Sequence, residues 1–338
     1  MKTVKIIFIV GLLSVFTGCS KVVKDAGDWS VEEAGKGNLS VSVVYDDLVL
    51  KSLTDYTNVT TDEKAVKKLD VLVFDKVTGA LNASMSLESM TDECQFALPV
   101  GDKIVYAIVN GPDVSSVTSE EGLLALSDNL SDRSFSGKGL LMMGKADCQI
   151  EAGKTASPTI AVKWLVSRVV LRKITCNLAS QYKTMSVNCV YLGNANTVQT
   201  LAGESSVMVN PDGYADAAKT KPVGKSEMGA CYEYMFKYGS GDINVGGFNS
   251  TIYRLYCQPN ETDKHTCLYI AVVIDYTTYY YRIPLINGLK AGSTCSVDVT
   301  ISNLGSLLPP DTDYVTGGVA AKIQFGGWDA GEAYVVEF

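Results

Sequence analysis

Cys19 is the first residue whose setting points to chemistry. It follows Thr17 and Gly18 at the end of an apolar run, residues 6–16, that opens behind Lys2 and Lys5. The run is about half the ~20 residues a helix needs to span a bilayer, so it reads as an export signal rather than a membrane helix. A cysteine directly after a small pair is similar to a bacterial lipoprotein signal. In that chemistry the Cys19 thiol takes a diacylglycerol, the chain is cut before Cys19, and the new amino group is acylated. More than one acyl chain suffices for stable anchoring. Cys19 is therefore the expected lipidation site, with residues 1–18 as a discarded signal peptide. A plain secretory signal with an incidental cysteine is the alternative.

Other candidates for chemistry are weaker. The chain has one histidine, His265, in the polar loop 258–266, and any Ser-His-Asp or Cys-His mechanism would have to rest on it. A solvated loop histidine without a sequence partner is the simpler reading. No nucleophile-elbow, zinc-protease, P-loop or dinucleotide fingerprint occurs. "YGSGDINVGGFN" (238–249) is Gly-rich but lacks the strand–helix context and the lysine of a phosphate site, so it reads as a flexible loop. Asp pairs in "NPDGYADA" (210–217) and "PPDTDY" (309–314) fall short of a calcium loop and suit turns. Tyr276, Tyr279, Tyr280 and Tyr281, with Trp164 and Trp328, could form a sugar-binding surface, but core or interface packing is favoured. No catalytic residue, metal ligand or cofactor is assigned, and the protein reads as a non-enzyme.

The totals bound the class. The chain has 338 residues, 46% of them hydrophobic, and a formal net charge of −8. That is globular, long enough for two ordinary domains, and unsuited to nucleic acid or anionic surfaces. Of nine cysteines, eight lie beyond Cys19. Export permits disulfides, but eight cysteines allow 105 pairings and the connectivity stays open. Cys257 and Cys267 flank a polar loop and could be cross-strand neighbours. Free buried thiols are an equal alternative for most of the others.

These residues must be positioned by strands. Alternating or Val-, Ile- and Tyr-rich runs occur at 39–45, 68–75, 103–110, 159–174, 184–192, 251–257, 267–276, 279–286, 294–301 and 319–325. Turn signals separate them, and "DYTTYYY" predicts a tight hairpin. One segment, 119–130, reads as a helix with Ser119 as its cap. Residues 22–37 have little pattern and read as a tether. Many short strands with few helices predict packed antiparallel sheets.

Several pieces together resemble a known family. They are the signal ending at Cys19, "GNLSVSVVYDDLVLK", "VKKLDVLVFDKVTGAL", "FALPVGDKIVYAIVN", "GLLMMGKADCQIEAGKTASPTIAVKWLVSRVVLRKI", "GLKAGSTCSVDVTISNLGSLLPPDTDY" and the ending "VAAKIQFGGWDAGEAYVVEF". In this order and spacing the chain resembles the fimbrillin family, the FimA-like type V pilins of Gram-negative anaerobes. The resemblance implies a mainly β protein with two transthyretin-like antiparallel β-sandwich domains. Here these would span 38–165 and 166–338, after a signal peptide (1–18) and a lipidated tether (19–37). It also implies export as an outer-membrane lipoprotein, trypsin-like cleavage in the loop after the first strand, loss of that strand, and filling of the groove by the C-terminus of another subunit. The implied partners are other fimbrial subunits, a processing protease and the membrane through the lipid. The implied location is the fimbrium on the cell surface.

The sequence offers matching parts. In the first strand Leu39, Val41, Val43 and Tyr45 share a face. In the C-terminal donor strand Tyr334, Val336 and Phe338 do. Lys51 is the best-placed basic residue for processing. Lys64, Lys67 and Lys68 approach the next strand, and Arg133, the first arginine, lies too far inside. The alternative reading is an uncleaved surface lipoprotein acting as a fimbrial anchor or tip, or as a glycan-binding module.

Overall fold

The computed structural model describes residues 35–46, 59–134, 136–209, 232–239, 241–308, 319–327 and 330–337. The chain is mainly β. In order the strands are β1 (Lys36–Tyr45), β2 (Leu69–Asp75), β3 (Leu81–Leu87), β4 (Cys94–Pro99), β5 (Gly101–Val109), β6 (Ser127–Asn129), β7 (Met142–Ile150), β8 (Thr155–Ala156) and β9 (Thr159–Trp164). There follow β10 (Ser167–Cys176), β11 (Thr184–Gly193), β12 (Ala195–Thr200), β13 (Ser205–Val209), β14 (Phe236–Tyr238), β15 (Asp242–Asn244) and β16 (Phe248–Asn249). The last are β17 (Tyr253–Cys257), β18 (Cys267–Ile274), β19 (Thr277–Pro284), β20 (Ser293–Ile301), β21 (Val319–Gly327) and β22 (Ala330–Glu337). Two short helices, α1 (Glu120–Leu124) and α2 (Tyr232–Met235), interrupt them.

The strands form four sheets. An eight-stranded sheet runs β3-β2-β5-β7-β9-β1-β4, with β8 also on β1. A six-stranded sheet runs β16-β10-β20-β21-β22, with β17 also on β10, and a five-stranded sheet runs β14-β11-β18-β19, with β15 also on β11. The smallest, β13-β12-β6, joins an early strand to two late ones.

Alternation explains how these sheets close a core. Val169 and Leu171 of β10 and Val297 and Val299 of β20 are buried in one cluster with Val190 and Leu192 of β11 and Ile270 and Val272 of β18. The same cluster takes Leu39, Val41 and Val43 of β1, Val71 and Val73 of β2, and Ile160 and Val162 of β9. The opposite face of β2 and β5, with Leu72, Phe74, Tyr106 and Ile108, packs against Leu123 of α1 and against Leu141 and Leu201. A strand buried on both faces loses strict alternation, which is why 69–74 is apolar at nearly every position.

Most predicted runs are strands. The predicted hairpin is β18–β19, closed by Asp275 and Tyr276 with φ of 45° and 69°. Two positive φ values at a two-residue loop are the type I′ geometry that suits strand twist.

Three expectations need correction. The run 159–174 is two strands: the chain bends at Leu165 and Val166 to pass from the eight-stranded sheet to the six-stranded one. The helix expected over 119–130 ends at Leu124, although Ser119 caps it as expected, accepting a hydrogen bond from Gly122 N at 3.1 Å. Residues 127–129 instead pair with Val198–Thr200 of β12 and leave the helix for a sheet edge. Cys257 and Cys267 are not cross-strand partners. Cys257 lies opposite Ser167 and Cys267 opposite Gly193, in different sheets. Neither is in a disulfide, nor are Cys94, Cys148, Cys176, Cys189 and Cys295.

Candidate functional site

β1 sits inside its sheet rather than on an edge. Residues 36–41 pair antiparallel with β4, residues 38–39 parallel with β8, and residues 42–45 parallel with β9. Its alternation is carried into burial: Leu39, Val41 and Val43 are 0%, 6% and 7% exposed, whereas Val44 on the other face is 42% exposed. The fit is close at Gly37, where an added Cβ would stand 2.2 Å from Glu151 O. Directly opposite Val41 is Cys94 of β4, buried, with its thiol pushed up to about 12 by desolvation.

Tyr45 ends the strand differently from the other three. It is half-buried, its ring stacks on Trp164 at 6.0 Å and 15°, and its hydroxyl donates to Lys64 O at 2.6 Å. Burial raises its phenol above the ordinary range. Asp46, just beyond, takes an ion pair from Lys163 at 3.1 Å.

The segment that follows, residues 59–68, is tied down at many points. Thr60 and Glu63 form a reciprocal capping box: Thr60 N donates to Glu63 Oε2 at 2.5 Å and Glu63 N to Thr60 Oγ1 at 3.2 Å. The spacing T-x-x-E was a readable signal for this turn, missed in the sequence. Glu63 is fully buried. Its Oε1 accepts from Arg168 Nη1 at 3.1 Å and from the Tyr256 hydroxyl at 2.7 Å, and its carbonyl accepts from Trp164 Nε1 at 3.0 Å. Arg168, also fully buried, donates through Nε to Thr294 Oγ1 at 3.0 Å. A buried charge needs this kind of pairing to exist at all. Downstream, Asn110, at φ 57°, accepts from Lys67 N at 2.8 Å and donates to Ala65 O at 2.8 Å and to Leu140 O at 2.9 Å. Nothing local in the sequence marks Asn110, Arg168 or Tyr256 as partners of this turn.

The alternative basic residues stand in this stapled stretch. The Lys64 carbonyl holds Tyr45, the Lys67 N–H is bonded to Asn110, and Lys68 pairs with Asp70 at 2.9 Å. Arg133 is buried in an ion pair with Asp128. Lys51 and Cys19 lie outside the described residues, as do Phe338 and the Asp pairs at 210–217 and 309–314. Tyr334 and Val336 belong to β22, which pairs antiparallel with β21 (Ala321 opposite Val336, Ile323 opposite Tyr334) and ends its sheet.

The remaining candidates do not converge. Trp164 is 1% exposed, Tyr280 3% and Tyr281 1%, while Tyr276 stands fully exposed at the hairpin tip. These aromatics are thus core and turn residues, not one surface, and Trp328 lies outside the described residues. His265 has its backbone carbonyl against the Cys267 thiol at 3.3 Å. Among the described residues no group of three or more His, Cys, Asp or Glu side chains is placed to hold a metal ion, and no helix is long and apolar enough to cross a membrane.

The fold is shared with three solved structures. A cell-adhesion candidate from Bacteroides eggerthii DSM 20697 superposes with a TM-score of 0.66 at 16% identity, over 87% of this chain and 97% of that one. The fimbrilin (fimA) of Porphyromonas gingivalis W83 gives 0.59 at 13%, over 87% and 98%. A fimbrial assembly protein from Parabacteroides distasonis ATCC 8503 gives 0.53 at 11%, over 90% and 100%. Residues 38–159 match the family described as major fimbrial subunit protein (FimA), and over that stretch the match agrees with the resemblance to the fimbrillins read in the sequence. No curated protein matches the chain significantly.

Proposed function

We propose that the protein is a structural subunit of a cell-surface fimbrium, assembled by exchange of its first strand for the C-terminal strand of another copy. The observation that carries this reading is the placement of β1. It is an interior strand whose apolar face lies in the core. Its departure would strip β4, β8 and β9 of backbone partners and open an apolar slot. Burying Leu39, Val41 and Val43 is worth about 2 kcal/mol each, so roughly 6 kcal/mol is available to any strand that refills the slot, before ordering costs. Tyr334, Val336 and Phe338 supply the required alternation, and an added strand gains main-chain hydrogen bonds as well. β22 ends its sheet with one edge unpaired among the described strands, a position from which a strand can be offered to a second chain.

Export as a lipoprotein through Cys19, anchoring at the outer membrane, and cutting at Lys51 by a trypsin-like protease complete the reading. The stapled backbone around Lys64, Lys67 and Lys68 supports a cut upstream of residue 59. The division into domains at 38–165 and 166–338 is supported by the pairing of β10–β22 among themselves, with β6–β12 as the one crossing pair among the described strands. Adhesion follows from presentation in a fibre.

Deleting residues 330–338 tests the proposal. The monomer should stay folded and cease to polymerise, and normal fibres from the truncated protein would refute it. The N-terminal sequence and intact mass of the native surface protein separate the alternative. A start at Ser52 fits a polymerising subunit, and a lipidated start at Cys19 fits an uncut anchor or tip.

A further inference from the structure

The two residues that bound the expected cut are held by very different means. Upstream, Tyr45 is the last residue of β1, and beyond its ladder bonds it holds on through one hydrogen bond to Lys64 O and one ring stack on Trp164. Downstream, residues 60–68 are stapled through Glu63 to Arg168 and Tyr256, and through Asn110 to the backbone of Ala65 and Lys67. None of these staples uses an atom of β1. Trp164 serves both sides, with its ring face against Tyr45 and its Nε1–H on the Glu63 carbonyl.

We propose that Tyr45 is a latch and the Glu63 turn its fixed catch, so that exit of β1, and not the cut itself, gates strand exchange. This rests on the strand-exchange reading. After cleavage within residues 47–58 the β1 peptide stays docked, because its ladder to β4 and β9 and its buried Leu39, Val41 and Val43 are untouched. The Tyr45 contacts, with those of Asp46 just beyond (its ion pair with Lys163 and its N–H on Val162 O), lie at the end that cleavage frees, so fraying must begin there. Breaking them is the first step of exit. The Glu63 turn keeps its place throughout, because every partner of its carboxylate lies on Thr60, β10 or β17. The rim of the emptied slot is thereby preserved for an incoming strand.

The test uses full-length protein purified before processing, with a site-specific protease sequence placed within residues 52–58, so that cutting does not depend on Lys51. Release of the N-terminal peptide is followed by native mass spectrometry, and protection of residues 59–68 by hydrogen exchange. The nicked wild type should retain its peptide through gel filtration. Tyr45→Phe, which removes only the hydroxyl, should be cut at the same rate and release the peptide about fivefold faster, as expected for one hydrogen bond of ordinary net worth. A control, Val44→Thr, on the exposed face, should release it at the wild-type rate. Residues 59–68 should stay protected after release in all three. Equal release from Tyr45→Phe and wild type, or loss of protection at 59–68 on release, would overturn the latch. Release with the expected kinetics but no polymer would leave the latch standing and refute strand exchange.

Discussion

Val41 lies directly opposite Cys94 in the antiparallel pairing of β1 with β4, and the two side chains share the buried face. Cys94 is thereby a built-in reporter of whether the first strand is present. With β1 in place its thiol is buried and held near pKa 12, so almost none of it is thiolate at neutral pH. Removal of β1 should return it toward the ordinary value near 8.5 and expose it. Mass mapping after a brief pulse of alkylating reagent should find Cys94 unlabelled in the uncut protein, labelled after strand removal, and protected again in fibres. Labelling that does not change with processing would mean that β1 stays in its sheet.

Glu63 and Arg168 are both fully buried and joined at 3.1 Å, so removing either alone takes this ion-pair partner from the other. Glu63→Gln should destabilise the protein by roughly 3–5 kcal/mol, the cost of breaking a buried pair from one side. Replacing both, Glu63→Gln with Arg168→Met, should recover a large part of that loss, because the buried guanidinium goes with the carboxylate it was paired to. Urea unfolding of the two single variants and the double variant measures the cycle. Simple additivity would mean that the pair is not coupled.

How much of this was legible in the sequence depends on whether the signal was local. The β1 face, the β18–β19 hairpin and the Ser119 cap each follow from residues within a few positions of one another, and all were readable. The strand Ser127–Asn129 was not, because "SDN" has no strand character of its own and is made a strand by β12, some seventy residues away. β7, "MMGKADCQI", carries a glycine and charged residues. Even so, its full pairing with β5 overrides them. In the candidate site, Leu39, Val41 and Val43 were legible by period, and Tyr45 only as a fourth member of that row. Its distinct role needed Lys64 and Trp164 beside it. The Glu63 turn announced itself through T-x-x-E, but its partner Arg168 lies 105 residues on, where no pattern connects them.

Asp75 and Lys103 give the fold a definable acid sensitivity. Lys103 is almost fully buried and donates to Asp75 Oδ2 at 2.9 Å, while Thr78 caps the same carboxylate. The lysine hydrogen bond is the main cause that lowers Asp75 from 3.8 to about 2. A depressed carboxylate stabilises the fold above its unfolded value, and that stability is lost as pH falls through its folded value. The contribution should therefore be complete above pH ~4 and vanish toward pH ~2. Its size is about 1–2 kcal/mol, discounted because a quarter of the Asp75 side chain meets solvent. Asp75→Asn should lower stability at pH 7 and flatten the change between pH ~4 and ~2. Thermal unfolding across that range checks it, and an unchanged slope in the variant would assign the acid loss to other carboxylates.

The tip of the β18–β19 hairpin carries a cost that can be removed. Asp275 and Tyr276 occupy both central positions of the turn at positive φ, and the tyrosine, at 69°, has its side chain fully exposed with nothing to repay it. A bulky residue in this region is strained, whereas glycine adopts it freely, and Asp-Gly is among the pairs that type I′ loops prefer. Glycine also loses more entropy on folding, which offsets part of the gain. Since the native φ lies where a side chain is disfavoured, relief of strain wins. Tyr276→Gly should stabilise the protein by about 0.5–1 kcal/mol, and Tyr276→Ala, which keeps the Cβ, should give little of that gain. Denaturant midpoints of the two variants decide it. If glycine destabilises while alanine does not, the exposed ring is held by a contact that the folded subunit alone does not account for.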